Sequence, residues 1–297
     1  MTDTTPAVYE RLDDRFGAVG GDSRLERLWT GARWTEGPLY VPAGRYLLFS
    51  DIPNDRVLRW DETDGSVSVL DSPAGYANGR TIDRQGRVVT CQQGPRRVVR
   101  TEHDGSTTVL ADRWDGRRLN SPNDVVVSPD GAVWFTDPPY GITSDYEGER
   151  ADPEIDGCHV YRVDPGTGAV TAVATDLERP NGLAFSVDGR RLYVADTRRR
   201  HLRAFDVDGD RLAGGEVLAD LDGGPDGVRV DTAGRVWVAA GEALHVLDPD
   251  GTLLGRIHLP ETVSNLAFGG PKRNRLFVTA STSVYSLLLT VNGARLV

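Results

Sequence analysis

The sequence predicts an all-β protein, a six-bladed β-propeller whose four-stranded blades surround a central channel. Two observations predict this fold. A short pattern in which a polar residue precedes an apolar strand occurs six times, and each copy continues into a β-hairpin. Repeats of about 40–50 residues built from short strands are typical of propeller blades. The six segments are WTEGPLYV, YANGRTID, SPNDVVVS, RPNGLAFS, GPDGVRVD and VSNLAFGG.

The strands of each blade follow from the residues after these segments. Hairpins such as DVVVSPDGAVWFTD and GLAFSVDGRRLYVAD alternate β-branched and aromatic residues around a turn with glycine, where a positive φ is needed. A third strand such as HVYRVD and a fourth such as AVTAVA complete a blade. The last blade lacks a fourth strand, so RLERLW, before the first repeat, is predicted to be its outermost strand. We therefore predict an N-terminal arm over residues 1–22 and one propeller domain over residues 23–297.

The repeat aligns six oxygen-bearing side chains, which a propeller would bring to one end of its channel. Successive positions are 42, 45, 58, 45 and 39 residues apart. The aligned residues are Glu36, Asn78, Asn123, Asn181, Asp226 and Asn265. Asn and Asp beside Pro and Gly are also ordinary turn residues, so any one of them alone has a structural interpretation. The common register, and Glu36 in a segment with poor turn chemistry, favour a metal site.

Four of these residues are predicted to hold one divalent metal ion: Glu36, Asn123, Asn181 and Asp226. Two carboxylates and two amide carbonyls are hard oxygen ligands, which calcium accepts in irregular geometry. Calcium is therefore the ion that fits best, while zinc, manganese and magnesium remain open. Asn78 and Asn265 are predicted to line the channel. Asp51, Asp137 and Asp196 recur after the second strand, where we predict that they orient loops.

The 58-residue spacing indicates one long loop over residues 138–157. Because hairpin strands are antiparallel, a second strand returns to the mouth at which the first one began. The loop therefore follows the second strand of the third blade at the mouth that carries the ring. Long ordered loops are often lids. We predict that this one covers a substrate and that Tyr140 points inward.

Composition narrows the class of partner. A net charge of −10 disfavours the phosphate backbone of nucleic acid. No apolar run approaches the roughly 20 residues that a membrane span needs, and the polar N-terminus does not read as a secretory signal. Two cysteines cannot form a disulfide framework. We expect a cytoplasmic protein with a small-molecule partner, and the oligomeric state stays open.

These motifs resemble the gluconolactonase, regucalcin and senescence-marker-protein family of six-bladed propellers. The resemblance covers about residues 24–290 and is carried by WTEGPLY, NSPNDVVVSPDGAVWFTDPPYG, RPNGLAFSVDGRRLYVADT and GGPDGVRVDTAGRVWVA. It is strongest to the bacterial gluconolactonase-like branch. The resemblance implies that Glu36, Asn181 and Asp226 hold the metal and that Asn123 faces both metal and substrate.

Two departures from the family pattern concern the substrate. Ser121 stands where regucalcin-like members have a sugar-contacting arginine, and TCQQG replaces an acid and a histidine after the second strand of blade two. Gln92 and Gln93 leave this part of the mouth without titratable groups. We predict Asn78, Gln93, Asn123 and Tyr140 as substrate contacts.

The predicted function is hydrolysis of a sugar lactone by a water molecule that the metal activates, with Asp226 as general base. One alternative is a phosphotriester or fluorophosphate hydrolase similar to diisopropyl fluorophosphatase. Another is a metal-stabilised propeller that binds a ligand without turnover.

Overall fold

The computed structural model describes residues 3–295 and has six antiparallel sheets arranged as the blades of a propeller. The first strands of consecutive blades contact one another in sequence, and the sixth contacts the first, which closes the ring. The predicted six-bladed fold is therefore confirmed. Residues 1, 2, 296 and 297, which the predicted arm and domain included, lie outside the described residues.

Each blade has four main strands in the order inner to outer. Blade one has Thr35–Val41, Tyr46–Asp51, Arg56–Asp61 and Val67–Asp71, and blade two has Ala77–Ile82, Val88–Gln92, Arg97–Thr101 and Thr107–Ala111. Blade three has Val125–Val127, Val133–Asp137, Cys158–Val163 and Val170–Leu177, and blade four has Pro180–Phe185, Arg191–Asp196, His201–Asp208 and Arg211–Asp220. Blade five has Pro225–Val230, Val236–Ala240, Ala243–Leu247 and Leu253–His258, and blade six has Val263–Gly269, Arg275–Ala280, Ser283–Leu288 and Arg24–Thr30.

The remaining elements are short and lie outside the main strands. They are strands Asp3–Pro6 and Val8–Arg11, the small hairpin Arg113–Trp114 with Arg117–Arg118, helix Tyr140–Thr143, and 3-10 turns Asp14–Ala18 and Ile52–Asn54. Within residues 3–295 there is no helix with the length and apolar character needed to cross a membrane.

The N-terminal segment covers two blade edges. Strand Arg24–Thr30 pairs with Ser283–Leu288, so the prediction that RLERLW completes blade six is confirmed. Asp3–Pro6 then pairs with that strand, and Val8–Arg11 pairs with the outer strand of blade five. Both blades consequently have five strands. An extra strand on an outer edge satisfies backbone groups that would otherwise invite pairing with another chain.

The core lies between neighbouring blades and consists of several apolar clusters. Aromatic pairs mark three of the seams. Tyr40 stacks on Phe277 between blades one and six, with ring centroids 5.4 Å apart. Trp134 meets Phe185 edge to face at 5.7 Å between blades three and four, and Trp237 meets Phe268 at 5.4 Å between blades five and six. Such offset and edge contacts add to the stabilisation that apolar burial supplies. The two cysteines are buried and free, as predicted.

The pairing register of the innermost strand shifts next to the ring position in five of the blades. Shifts occur just after Glu36 in blade one and after Ala77, Pro180, Pro225 and Val263 in later blades. A bulge of this kind bends the strand and redirects a side chain. It allows the polar residue to face the channel before the strand resumes its regular alternation.

The alignment of Asn265 with the other ring residues was wrong by one residue. Val263 pairs with Ala280 as Pro180 pairs with Asp196, so Ser264 occupies the position of Asn181. Asn265 takes the place of the glycine that follows the ring residue in four other blades. It fits because its neighbour Gly227 has no side chain, and a Cβ at Gly227 would overlap the Asn265 amide.

Candidate metal and substrate site

The five remaining ring residues lie at one mouth of the channel, where the innermost strands begin. Contacts between neighbours hold them in a ring. The Gly79 amide donates to the Asn123 carbonyl at 2.8 Å, and the Thr136 hydroxyl donates to the Asn181 carbonyl at 2.8 Å. The backbone carbonyls of Asn123 and Asn181 therefore join neighbouring blades, which leaves the side chains of these residues available to the channel.

The carboxylates of Glu36 and Asp226 lie together although they are 190 residues apart in the chain. Glu36 is only 4 % exposed, and its Oε2 accepts from the Asn265 amide at 3.0 Å. Burial raises the pKa of Glu36, and burial together with the charge of Glu36 raises the pKa of Asp226. Two adjacent carboxylates that have lost their hydration favour a bound proton or a cation.

The ring asparagines supply amide oxygens. Asn181 donates from Nδ2 to Thr197 Oγ1 at 3.0 Å, which turns its Oδ1 away from that partner, and Thr197 donates in turn to the Pro225 carbonyl. Buried Asn78 has an Oδ1 with no hydrogen-bond partner among the described residues. Asn123 is 6 % exposed and uses its backbone, as described above, to join blades two and three. Of these amide oxygens, Asn78 Oδ1 is the one that is buried without a partner among the described residues, so it is available as an acceptor.

The long loop over residues 138–157 folds over this mouth, in the position predicted for a lid. It contains the short helix Tyr140–Thr143, and its Gly148 packs directly on Gly141. Burial raises the pKa of Tyr140 to about 12. Its phenol lies beside Thr197 and is close enough to Asp226 for the charge of that carboxylate to raise this pKa as well. Tyr140 therefore points into the site from the loop.

The loop packs against Ser121 and Gln93. Ser121 Oγ accepts from the Gly141 amide at 2.8 Å and donates to the Pro138 carbonyl at 2.7 Å. Gln93 is fully buried against Gly141, and neither its Oε1 nor its Nε2 has a hydrogen-bond partner within residues 3–295. Gln92, in contrast, bonds to Ala74 and Arg97. Gln93 is thus the glutamine that offers free polar atoms, while Ser121 positions the loop.

Sequence reasoning missed two residues at the site. Glu147 reaches inward from the loop, where burial raises its pKa and its charge contributes to the raised pKa of Asp226. Thr197 orients the Asn181 amide. Glu147 lies outside the repeat, so no register marked it. Thr197 directly follows the VAD segment of blade four, and that position is the one signal that pointed to it.

The donor set fits a hard divalent cation. Glu36 and Asp226 supply carboxylate oxygens, and the buried Asn78 Oδ1 lacks a partner among the described residues. Within the described part of the chain, no three His, Cys, Asp or Glu side chains form a metal-holding group. Any cation at this mouth would therefore depend on amide and water oxygens as well as on the two carboxylates, a mixture that calcium accepts.

The aspartates that follow the second strands hold loops. Asp51 pairs with Arg56 at 2.8 Å, and Asp196 accepts from the backbone amides of Glu178 and Arg179. Asp137 accepts from the Asn120 amide at 2.7 Å through Oδ2, but its buried Oδ1 has no partner among residues 3–295. Burial accordingly raises the pKa of Asp137 to about 7.

We expect Asp137→Asn to reduce the pH dependence of stability. The folded pKa lies above the unfolded value, so the folded protein holds a proton that the unfolded chain releases between about pH 4 and 7. Stability therefore falls as pH rises through this window, by up to about 4 kcal/mol at 1.4 kcal/mol per pKa unit. Urea unfolding at pH 4, 5.5 and 7.5 with a chelator measures the fall. An unchanged fall in the variant would contradict the assignment to Asp137.

A model of the SMP-30/gluconolactonase/LRE-like region matches residues 34–282. The chain belongs to this family. A gluconolactonase of Zymomonas mobilis is 32 % identical, over 96 % of this chain and 86 % of that protein. A pentonolactonase of Haloferax volcanii is 34 % identical over 85 % and 83 % of the two chains. The structure of a gluconolactonase of Xanthomonas campestris has a TM-score of 0.90 and 41 % identity, covering 97 % of this chain and 95 % of that one.

Family membership confirms the resemblance seen in the sequence motifs. The matched range begins two residues before Glu36 and includes the whole ring of polar residues and the loop over the mouth. The relatives also match over most of their own length, so the shared part is the whole propeller and not a fragment of it.

Proposed function

We propose that this protein hydrolyses a sugar lactone with the help of one divalent metal ion held by Glu36, Asn123, Asn181 and Asp226. Relatives that are themselves named as gluconolactonase and pentonolactonase support a lactonase. The observation that carries the proposal is the close pair of Glu36, which is buried, and Asp226, which is half-buried, at the mouth where Asn78 presents an amide oxygen without a partner among the described residues. Such a pair has no evident structural purpose, since burying two unneutralised carboxylates costs stability.

When bound, a divalent ion polarises an ester carbonyl and lowers the pKa of a water molecule. The residues of the chain supply the other requirements. Asn78, Asn123 and Gln93 present amides that suit the hydroxyl groups of a sugar ring, and the free atoms of Asn78 and Gln93 are buried with no other partner. Tyr140 closes the mouth above the ring, which limits the access of bulk water.

Asp226 is proposed as the proton acceptor. As water adds to the lactone carbonyl carbon, its proton passes to the Asp226 carboxylate, and the bond to the ring oxygen then breaks. The same proton reaches the departing ring oxygen, which leaves as a hydroxyl group, and the product is an aldonic acid. A carboxylate within hydrogen-bond reach of the attacking water can act as its general base.

Removal and return of metal tests the proposal. We expect chelated protein to lose at least about 100-fold of its rate on an aldonolactone, because the ion contributes several kcal/mol to the barrier. The panel should pair gluconolactone and pentonolactones with calcium, zinc, manganese and magnesium. Calcium is expected to restore activity, and full activity after chelation would contradict metal dependence.

The same panel separates the alternative functions. A phosphotriester substrate that turns over faster than every lactone would favour the phosphotriesterase alternative. Saturable lactone binding without turnover, with all four ions, would favour a binding protein. The cytoplasmic location proposed from the sequence is checked separately by fractionating cells.

A further inference from the structure

A cavity opens at the channel mouth opposite the lid. Its volume is about 210 Å³. Its walls come mainly from residues two or more positions beyond the ring on the innermost strands and the turns after them, such as Leu39, Val127 and Phe185, and also from the C-terminal residues Ala294 and Arg295. A strand advances about 3.3 Å per residue, so the cavity begins roughly 7 Å along the strands from the ring and extends away from it.

Positive charge is concentrated at this cavity. Five arginines line it, whereas its lining includes no aspartate or glutamate among the described residues. The arginines are Arg80, Arg84, Arg229, Arg273 and Arg295. The chain as a whole has a net charge of −10, so this concentration of positive charge runs against its overall composition. Positive charge focused by a concave, largely apolar wall attracts anions.

The guanidinium groups of the two deepest arginines make few direct contacts with carboxylates. Arg80 is 2 % exposed and donates only to neutral oxygens, the Gly37 carbonyl at 2.7 Å and Ser50 Oγ at 2.6 Å. Arg229 is 8 % exposed and approaches Asp124 at 3.3 Å with a single nitrogen, Nη1. Burial lowers the pKa of Arg80 to about 10. The charges of Glu36 and Asp124 act on Arg80, but no carboxylate bonds to it directly. An anion in the cavity would supply the two-point contact that these guanidinium groups lack.

We propose that this cavity binds a small organic carboxylate with an apolar body. The carboxylate would lie toward the arginines, and the body would lie against Leu39, Phe185 and Phe268. The volume exceeds the roughly 150 Å³ of a cavity known to admit benzene, so an aromatic acid with one ring fits. Arginine suits this role because its planar guanidinium matches a carboxylate with two parallel hydrogen bonds.

The apolar wall selects against more polar anions. An aldonic acid would place several hydroxyl groups against Leu39, Phe185 and Phe268, which offer them no hydrogen-bond partner. Inorganic phosphate would leave the apolar part of the cavity unfilled. The inference therefore stands apart from the proposed lactonase activity and needs no metal.

Calorimetric titration with benzoate tests the proposal. We expect saturable binding of one benzoate per chain, and no detectable binding of the neutral analogue benzamide. Arg84 is exposed at the rim, so Arg84→Glu should fold normally and weaken benzoate binding at least about tenfold, the effect of a charge-assisted hydrogen bond. The matched control is Arg211→Glu, an exposed arginine outside the cavity lining, which should leave binding unchanged.

Four results would overturn the proposal. The first is equal binding of benzamide and benzoate, and the second is an Arg84→Glu variant that binds benzoate as the wild type does. The third is tighter binding of gluconate or phosphate than of benzoate. The fourth is no saturable benzoate binding up to 50 mM, roughly the weakest affinity that such a contact would give. Lactonase rates of both variants, measured in parallel, should equal the wild-type rate because neither residue lies at the ring.

Discussion

The Asp226→Asn variant is expected to lose at least about 10³-fold in the rate of lactone hydrolysis, even at saturating metal. The amide keeps the shape and one oxygen ligand of the carboxylate but cannot accept the proton of the attacking water. Removing a general base typically costs 10²–10⁴-fold, and the loss of one ligand charge adds to this. The variant also relieves the repulsion with Glu36, so its fold should not suffer.

Measuring metal affinity and rate in the same samples separates the two roles of Asp226. Calorimetry gives the affinity for the ion, and the initial rate is then taken at ion concentrations well above the dissociation constant. Glu147→Gln serves as the comparison, because it removes a nearby carboxylate outside the proposed ligand set. If saturating metal returned Asp226→Asn to the wild-type rate, Asp226 would be a ligand and not a base.

The Gly37→Ala variant is expected to lose about 2–5 kcal/mol of unfolding free energy. Gly37 has a φ of +52°, and a Cβ there would overlap the Asn78 carbonyl of the next blade. The left-handed backbone accounts for roughly 1–2 kcal/mol and the forced separation of two strands for about 1–3. Because Gly37 follows Glu36 directly, the displacement should also weaken metal binding. Urea unfolding and calorimetry measure the two effects.

Gly65→Ala is the matched control for backbone strain alone. Its φ of +73° resembles that of Gly37, but nothing lies within 4 Å of a Cβ at that position. We expect a loss of roughly 1–2 kcal/mol and unchanged metal affinity. Equal losses in the two variants would show that the close approach of blades one and two does not constrain the ring.

Most of the fold could be predicted because the sequence repeat shows where each blade and its strands begin. The hairpin turns, the apolar strands and the completion of blade six by RLERLW all follow from local patterns. The strands Asp3–Pro6 and Val8–Arg11 could not be foreseen, because an added edge strand needs no repeat and little hydrophobic patterning. The shift at Asn265 was also missed. The shared LAF of RPNGLAFS and VSNLAFGG carries this signal, and the pairing of Val263 with Ala280 shows that Ser264 occupies the ring position.

The site was predictable to the extent that it is made from the repeat. Glu36 and Asp226 were marked by their register, and the structure brings their carboxylates together. Glu147 and the anchoring role of Ser121 depend on how an irregular loop folds, which sequence patterns do not encode. The arginine-lined cavity was equally invisible, since Arg80 and Arg84 of blade two and Arg229 of blade five stand at unmatched offsets from the ring.

The central claim is that one divalent ion lies between Glu36, Asn123, Asn181 and Asp226. A crystal structure with calcium at saturating concentration, ideally with a trapped sugar acid, tests it most directly. We expect a single strong peak at the lidded mouth, about 2.3–2.6 Å from an oxygen of each of these side chains. No peak at the ring, or a peak held by other residues, would contradict the account.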